Sequence, residues 1–297
     1  MSFSAEIKNE LAKLYPKPRH CALAELLALT QFSGSLVALN HNDYSLTFRL
    51  ENSLTAIKCF TLLRKTFNMK VDVMVRTGHK NLKTYYIQAI SPDLVAIKNA
   101  SLNSSCCKRS FIRGAFLSSG SVSDPQKSYH FEIVCPSEVL GQQLVELLES
   151  FAIEAKTVWR KSAYVVYIKE GAGIVDVLNI MGAHLSLMEL ENIRILKDMR
   201  NNVNRQVNCE TANINKTVSA SVKQMEDIKL IESTLGLNKL PLGLQEIAMV
   251  RLNNPDIPLK ELGALLDPPI GKSGVNHRLR KLAEIASDIK DKQGGTQ

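Results

Sequence analysis

One short pattern occurs twice in this chain, 86 residues apart, and that duplication constrains the fold more than any other feature. The first copy is Leu26-Leu27-Ala28-Leu29-Thr30-Gln31-Phe32-Ser33-Gly34-Ser35-Leu36. The second is Ile112-Arg113-Gly114-Ala115-Phe116-Leu117-Ser118-Ser119-Gly120-Ser121-Val122. Each reads as a helix of small and apolar residues closing on Ser-Gly-Ser. A helix with so little charge has to be covered on most sides, and the natural cover for one copy is the other. Ala28 and Gly114 then mark the place where a larger side chain would push the two helices apart. Gly34 and Gly120 end the helices, where a left-handed residue is expected.

The repeat extends beyond the motif. After the first copy come strand-like Ser35–Leu39 and Tyr44–Leu50, joined by the turn residues Asn40-His41-Asn42-Asp43. A helix from about Ser53 to Phe67 follows, then strands Val71–Val75 and Thr84–Ile90 and a short helix over Pro92–Ala100. The second copy leads into strand-like Tyr129–Val134, a helix from about Ser137 to Phe151, strands Ala155–Trp159 and Ala163–Ile168, and a helix near Ala172–Met181. Each unit offers an antiparallel sheet with helices on one face, so the other faces form a wet saddle.

The motif resembles that of the LAGLIDADG homing endonucleases, written twice. The resemblance implies two helices side by side at a pseudo-twofold axis, and an acid before the final glycine of each that holds a catalytic divalent metal. Ser33 and Ser119 stand at those two positions here. A magnesium ion that activates water requires hard anionic oxygens, and two neutral hydroxyls leave its charge uncompensated. The expectation is a nuclease scaffold kept for its shape, with no catalytic residue, no metal and no cofactor. The competing enzyme reading is a divergent metal-dependent endonuclease with relocated acids, for which Glu25 and Asp124 lie near the motifs.

Charge points to an anionic partner: the net charge is +8 and the pI about 9.1. The 45% apolar content supports a substantial core. None of the six cysteines (Cys21, Cys59, Cys106, Cys107, Cys135, Cys209) forms Cys-x-x-Cys and no histidine cluster accompanies them, so no zinc site is expected. They are read as small buried thiols, with Cys21 and Cys107 in equivalent places on the motif helices. Met1–Leu14 reads as an amphipathic helix with Ile7, Leu11 and Leu14 on one stripe, not a signal peptide. No stretch approaches the roughly 18 apolar residues of a membrane span. The location expected is the cytoplasm, at the nucleoid.

The C-terminal region carries a second pattern. Leu242–Leu252 reads as a helix broken by Asn253-Asn254-Pro255, and Pro258–Leu266 as a short helix begun by proline. Asp267-Pro268-Pro269-Ile270-Gly271 makes a turn, and Ser273 is read as the N-cap of a helix reaching about Ile289. Val275, Leu279, Leu282 and Ala286 share its apolar face. No acid occurs between Pro268 and Ala283. Short helix, turn and longer basic helix is the layout of a helix-turn-helix, although the turn is longer than usual. The residues expected at double-stranded DNA are Lys260, Lys272, Ser273, Asn276, His277, Arg278, Arg280 and Lys281. Arginine and asparagine can read base edges, while Lys272 and Lys281 suit phosphates. Arg76, Lys80 and Lys83, with His79, cluster on a strand-joining loop that could meet further phosphates.

The two halves together resemble the WhiA family of bacteria. The strings that carry the likeness are Asn208-Cys209-Glu210-Thr211-Ala212-Asn213 and Gly271-Lys272-Ser273-Gly274-Val275-Asn276-His277-Arg278-Leu279-Arg280-Lys281. The resemblance implies an α+β fold: a duplicated LAGLIDADG-like domain over 1–200, with repeats at about 19–100 and 105–182. A linker over 201–220 and an all-α helix-turn-helix domain over 221–297 follow. It also implies a non-catalytic DNA-binding regulator linked to sporulation in some bacteria and to cell division and chromosome segregation in others. A third reading gives the saddle a protein or RNA partner, with the C-terminal module as a tether.

Overall fold

The computed structural model describes residues 2–39, 43–78 and 83–294. The chain divides into two units, Met1–Asp198 and Met199–Gln297. The first opens with α1 (Phe3–Ala12), whose Ile7 and Leu11 are buried as the apolar stripe requires. One repeat follows: α2 (Arg19–Ser33), β1 (Gly34–Ala38), β2 (Tyr44–Leu50), α3 (Ser53–Phe67), β3 (Asp72–Thr77), β4 (Lys83–Ser91) and α4 (Val95–Lys98). The other comprises α5 (Ser105–Ser119), β5 (Gly120–Val122), β6 (Phe131–Cys135), α6 (Glu138–Glu149), β7 (Lys156–Arg160), β8 (Ala163–Ile168) and α7 (Gly171–Met181). Asn40, His41 and Asn42 of the first hairpin turn lie outside the described residues.

The strand orders are the same in both halves, β1-β2-β4-β3 and β5-β6-β8-β7, and every pairing is antiparallel. Alternation along the strands assigns the faces. Leu46, Phe48 and Leu50 of β2 and Phe131, Ile133 and Cys135 of β6 turn into the core under the helices. The intervening residues point away from it.

α2 and α5 pack against each other through the centre. α2 is buried nearly all round, through Ala24, Leu26, Ala28, Leu29 and Phe32. Their close approach is visible at Gly114, where an added Cβ would stand 2.7 Å from the Glu25 carbonyl oxygen and 2.9 Å from the Ala28 Cβ. Gly34 and Gly120 correct the sequence expectation. Both have extended backbone (φ −124° and −79°) and continue directly into strands, so no left-handed cap exists. Glycine is required there for space: a Cβ would meet the Phe48 ring at 2.8 Å and the Phe116 ring at 2.2 Å.

α8 (His184–Thr234) is one unbroken helix. Its first turn is capped from a distance, since the Glu10 carboxylate accepts from Leu185 N at 2.8 Å and from the Ser186 backbone and hydroxyl. An anion there offsets the helix dipole. Residues 201–220, expected to leave the first domain as a polar helix or linker, are helical throughout.

In the second unit α9 (Leu242–Asn253), α10 (Leu259–Ala264) and α11 (Lys272–Gly294) enclose a separate core. Val275, Leu279, Leu282, Ala286 and Ile289 of α11 are buried against Leu244, Ile247, Ala248, Leu262 and Leu266. Ser273 lies inside α11 rather than at its cap; the helix begins at Lys272, and Val275 N donates to Gly271 O.

Candidate nucleic-acid interface

Ser33 and Ser119 stand at the tips of the motif helices. Ser33 Oγ donates to Leu29 O at 3.0 Å and lies 3.1 Å from Ser118 Oγ. Ser119 Oγ donates to Val134 O at 2.7 Å. Both hydroxyls are therefore committed to neighbours in the fold. Among the described residues no three Asp, Glu, His or Cys side chains converge at these tips.

The two acids of the enzyme reading are also occupied. Glu25 is fully buried, with Lys58 Nζ at 2.6 Å from Oε1. Arg113 grips the same carboxylate with Nε on Oε1 and Nη2 on Oε2, each at 3.0 Å. Burial pushes the Lys58 ammonium below its usual range, and the attraction of Glu25 partly restores it. Asp124 is exposed and accepts from Gln126 N in a local turn. Lys58 was not singled out from sequence, although a lysine on the buried stripe Thr55, Cys59, Leu62 of α3 is a recognisable signal for a buried partner.

The saddle face carries charges of both signs among apolar side chains. The strand registers place Arg49, Arg76, Lys156 and Arg160 on outward positions, beside Asp72 and Glu132. Between them stand Val37, Met74, Ile90, Val134 and Val158, all exposed. Arg76 lies over the Tyr86 ring at 5.1 Å. Lys83 pairs with Thr77 at the mouth of the same hairpin, on the opposite face from Arg76. His79 and Lys80 lie outside the described residues.

The helix-turn-helix residues separate into two groups. Lys272, Ser273, Asn276, His277, Arg280 and Lys281 are all exposed. At 100° per residue they cover about half the circumference of α11. Lys260 is exposed on α10. Arg278 falls beside the core-facing stripe: its Nη1 donates to Gly243 O at 3.1 Å and approaches Glu246 at 3.6 Å. That guanidinium fastens α11 to α9. Arg280 is 80% exposed, with Glu284 at 3.7 Å. The turn between α10 and α11 folds back closely; Ile270 N donates to Gly263 O, and a Cβ on Gly263 would meet Ile270 O at 2.2 Å.

Arg251 is a residue that sequence inspection missed. It is buried, donating to Gln224 Oε1 and Ile257 O, both at 2.9 Å. Burial lowers its pKa. It pins the end of α8 to the loop that enters α10, and its position in an ordinary amphipathic run gave no sign of this.

The cysteines are the last correction. Cys21, Cys59, Cys107 and Cys135 are buried, but Cys106 and Cys209 are exposed. Burial raises the Cys21 thiol to about 12 and Cys135 to about 11. A histidine does accompany them in space: His20 Nδ1 lies 3.0 Å from Cys107 Sγ.

Comparison with known proteins adds the following. The description "WhiA N-terminal LAGLIDADG-like domain" fits residues 19–97, "WhiA LAGLIDADG-like domain" fits 108–200, and "WhiA C-terminal HTH domain" fits 203–286. A probable cell division protein WhiA of Lachnoclostridium phytofermentans is 48% identical over 98% of this chain and 100% of its own. One of Thermoanaerobacter pseudethanolicus is 45% identical over 99% of each chain. The crystal structure of full-length WhiA from Thermotoga maritima superposes with a TM-score of 0.65 at 28% identity, covering 97% of this chain and 99% of that one.

Proposed function

This chain belongs to the WhiA family, and on that footing we propose that it binds double-stranded DNA as a regulator of cell division and chromosome segregation, controlling transcription in the manner of sporulation regulators and cutting nothing. The observation that carries this reading is the exposed first half of α11, where Lys272, Asn276, His277, Arg280 and Lys281 face solvent without an intervening acid. A helix of that kind presents its first turns to the major groove. Arg280 and Asn276 read base edges, and Lys272, Lys281 and Lys260 meet phosphates. Arg278 acts by holding the helix in place. No described helix is long and apolar enough to cross a membrane; the proposed site of action is the nucleoid, in the cytoplasm.

The test is a fluorescence-anisotropy titration of the full chain on DNA over a range of salt. Lys281→Ala should weaken binding to all sequences and reduce the salt slope by about one. Arg280→Ala should cost about 1–3 kcal/mol and relax specificity at one base pair. Unchanged affinity in the double variant would remove the recognition-helix assignment. Incubation with plasmid and magnesium should leave the DNA uncut; scission that depends on Ser33 or Ser119 would restore the enzyme reading.

A second reading concerns the first unit. The outward apolar side chains Val37, Met74, Ile90 and Val158 favour a protein partner at the saddle over DNA. Arg76→Ala with Lys83→Ala should then leave the DNA salt slope unaltered.

A further inference from the structure

We propose that His20, Cys21, Cys106 and Cys107 form a tetrahedral site for one structural zinc ion, joining the N-terminal ends of α2 and α5. The four ligand atoms all lie within 4.8 Å of one another. His20 Nδ1 is 3.0 Å from Cys107 Sγ and 3.4 Å from Cys21 Sγ. Zinc at about 2.3 Å from sulfur and about 2.0–2.1 Å from nitrogen sets tetrahedral edges of roughly 3.5–3.8 Å, so small side-chain shifts complete the geometry.

The arrangement follows from the duplication. Each motif helix contributes an adjacent pair, His20-Cys21 at the start of α2 and Cys106-Cys107 at the start of α5, with 86 residues between equivalent positions. Cys-x-x-Cys spacing is absent because each pair sits on a separate helix and the fold brings the pairs together. The chemistry of the set selects the ion. Three thiolates and an imidazole suit zinc and disfavour magnesium or calcium. Both pairs occupy first turns, so the two helix starts present their side chains to one another; burial holds the Cys21 and Cys107 thiols above their ordinary range, and the ion itself would displace their protons on binding. Ser110, itself buried and held by Arg113 Nη2 at 3.2 Å, lies on the same helix one turn beyond Cys106 and Cys107. Cys21 and Cys107 are buried, while His20 and Cys106 reach the surface and leave the ion a path of entry.

Four protein ligands leave no open position for water, so the site holds structure and performs no hydrolysis. It lies at the opposite ends of the two helices from Ser33 and Ser119, about 20 Å away by helix rise. The ion would fasten the repeats to each other at the far end of the axis.

The experiment uses the full chain, purified under reducing, chelator-free conditions. Elemental analysis should give one zinc per chain. After zinc removal, cobalt(II) titration should produce the thiolate charge-transfer and visible d–d bands of a tetrahedral site. His20→Ala and Cys106→Ser alter exposed positions, and circular dichroism verifies that they fold. Each should weaken cobalt binding by more than the roughly 10–100-fold expected for loss of a supporting partner. His20→Cys should keep one zinc per chain with a shifted charge-transfer band. The proposal is overturned by absence of stoichiometric zinc together with a cobalt spectrum that never becomes tetrahedral. It is equally overturned by a bound iron cluster, by a Cys21–Cys107 disulfide in protein purified without oxygen, or by folded Cys106→Ser that binds as wild type.

Discussion

Replacing Glu25 by glutamine removes one charge from a cluster of three and keeps the shape. In the native fold Glu25 accepts from Lys58 and twice from Arg113. Lys58 also donates to Leu11 O at 2.8 Å, and Arg113 to Met181 O at 3.1 Å, so the cluster ties α1, α2, α3, α5 and α7 together. The variant leaves an ammonium with no exposed surface and a guanidinium that is 11% exposed, both without their anion. Breaking such a buried pair costs about 3–5 kcal/mol. The lysine can limit the loss by shedding its proton: from its ordinary 10.5, deprotonation at pH 7 costs at most about 4.8 kcal/mol. The limit set by deprotonation falls inside the first range, about 3–5 kcal/mol. For a unit of this size that corresponds to a fall in Tm of roughly 6–20 °C.

The chain has a single tryptophan, Trp159 on β7, so its fluorescence reports the first unit alone. Urea titrations of Glu25→Gln followed by that signal measure the loss. The pH dependence has a definite sign. Lys58 has a folded pKa below its unfolded 10.5, so between those two values the unfolded state binds more protons and stability rises with pH. Glu25 raises that folded pKa, so it falls further in Glu25→Gln, the variant gains more stability with rising pH than the native chain, and the deficit should shrink from neutral pH towards 10.5. Glu25→Leu with Lys58→Met and Arg113→Met should recover most of the loss, since no buried charge remains. A loss below about 1 kcal/mol in Glu25→Gln would refute a charge cluster as the source of stability here.

Other outcomes follow from single contacts. Gly114→Ala should cost about 1–3 kcal/mol by calorimetry, because the new Cβ meets the Glu25 carbonyl and neither helix backbone can yield cheaply. Arg278→Ala should lower the stability of the second unit by about 0.5–1.5 kcal/mol through loss of its bond to Gly243 O, while Arg280→Ala leaves stability within about 0.5 kcal/mol. Asp227 raises the pKa of Lys290 through a 2.8 Å hydrogen bond. That stabilisation is complete below the unfolded value of 10.5 and disappears as pH rises through the folded one; by NMR titration Asp227→Asn should return Lys290 to the ordinary range.

What could be read in advance was whatever repeats or alternates. The duplicated motif, the order of elements in each half and the apolar stripe of α11 are periodic signals, and they locate the fold and the basic helix. What escaped was contact between residues far apart in sequence. Glu25 looked like a spare acid because nothing local reveals Lys58 and Arg113 against it. Arg278 and Arg280 look alike in sequence, and only the side of α11 that meets α9 separates them. Linear spacing hides the cysteine cluster, whose two pairs lie on separate helices and meet between α2 and α5. Gly34 and Gly120 were assigned a common capping role when the chain in fact straightens there and aromatic rings occupy the space.

That straightening has a mechanical consequence. α2 becomes β1 at Gly34 and α5 becomes β5 at Gly120, with no residue in between to act as a pivot. Each central helix and the strand it feeds are thus a single bent lever, and the two levers touch at Gly114. Rotating one shaft against the other would carry its sheet with it, as the arms of a calliper follow its joint. A relative that grips a wider or narrower object should therefore differ at the crossing itself, in side-chain size near Ala28 and Gly114, rather than in the hairpin tips.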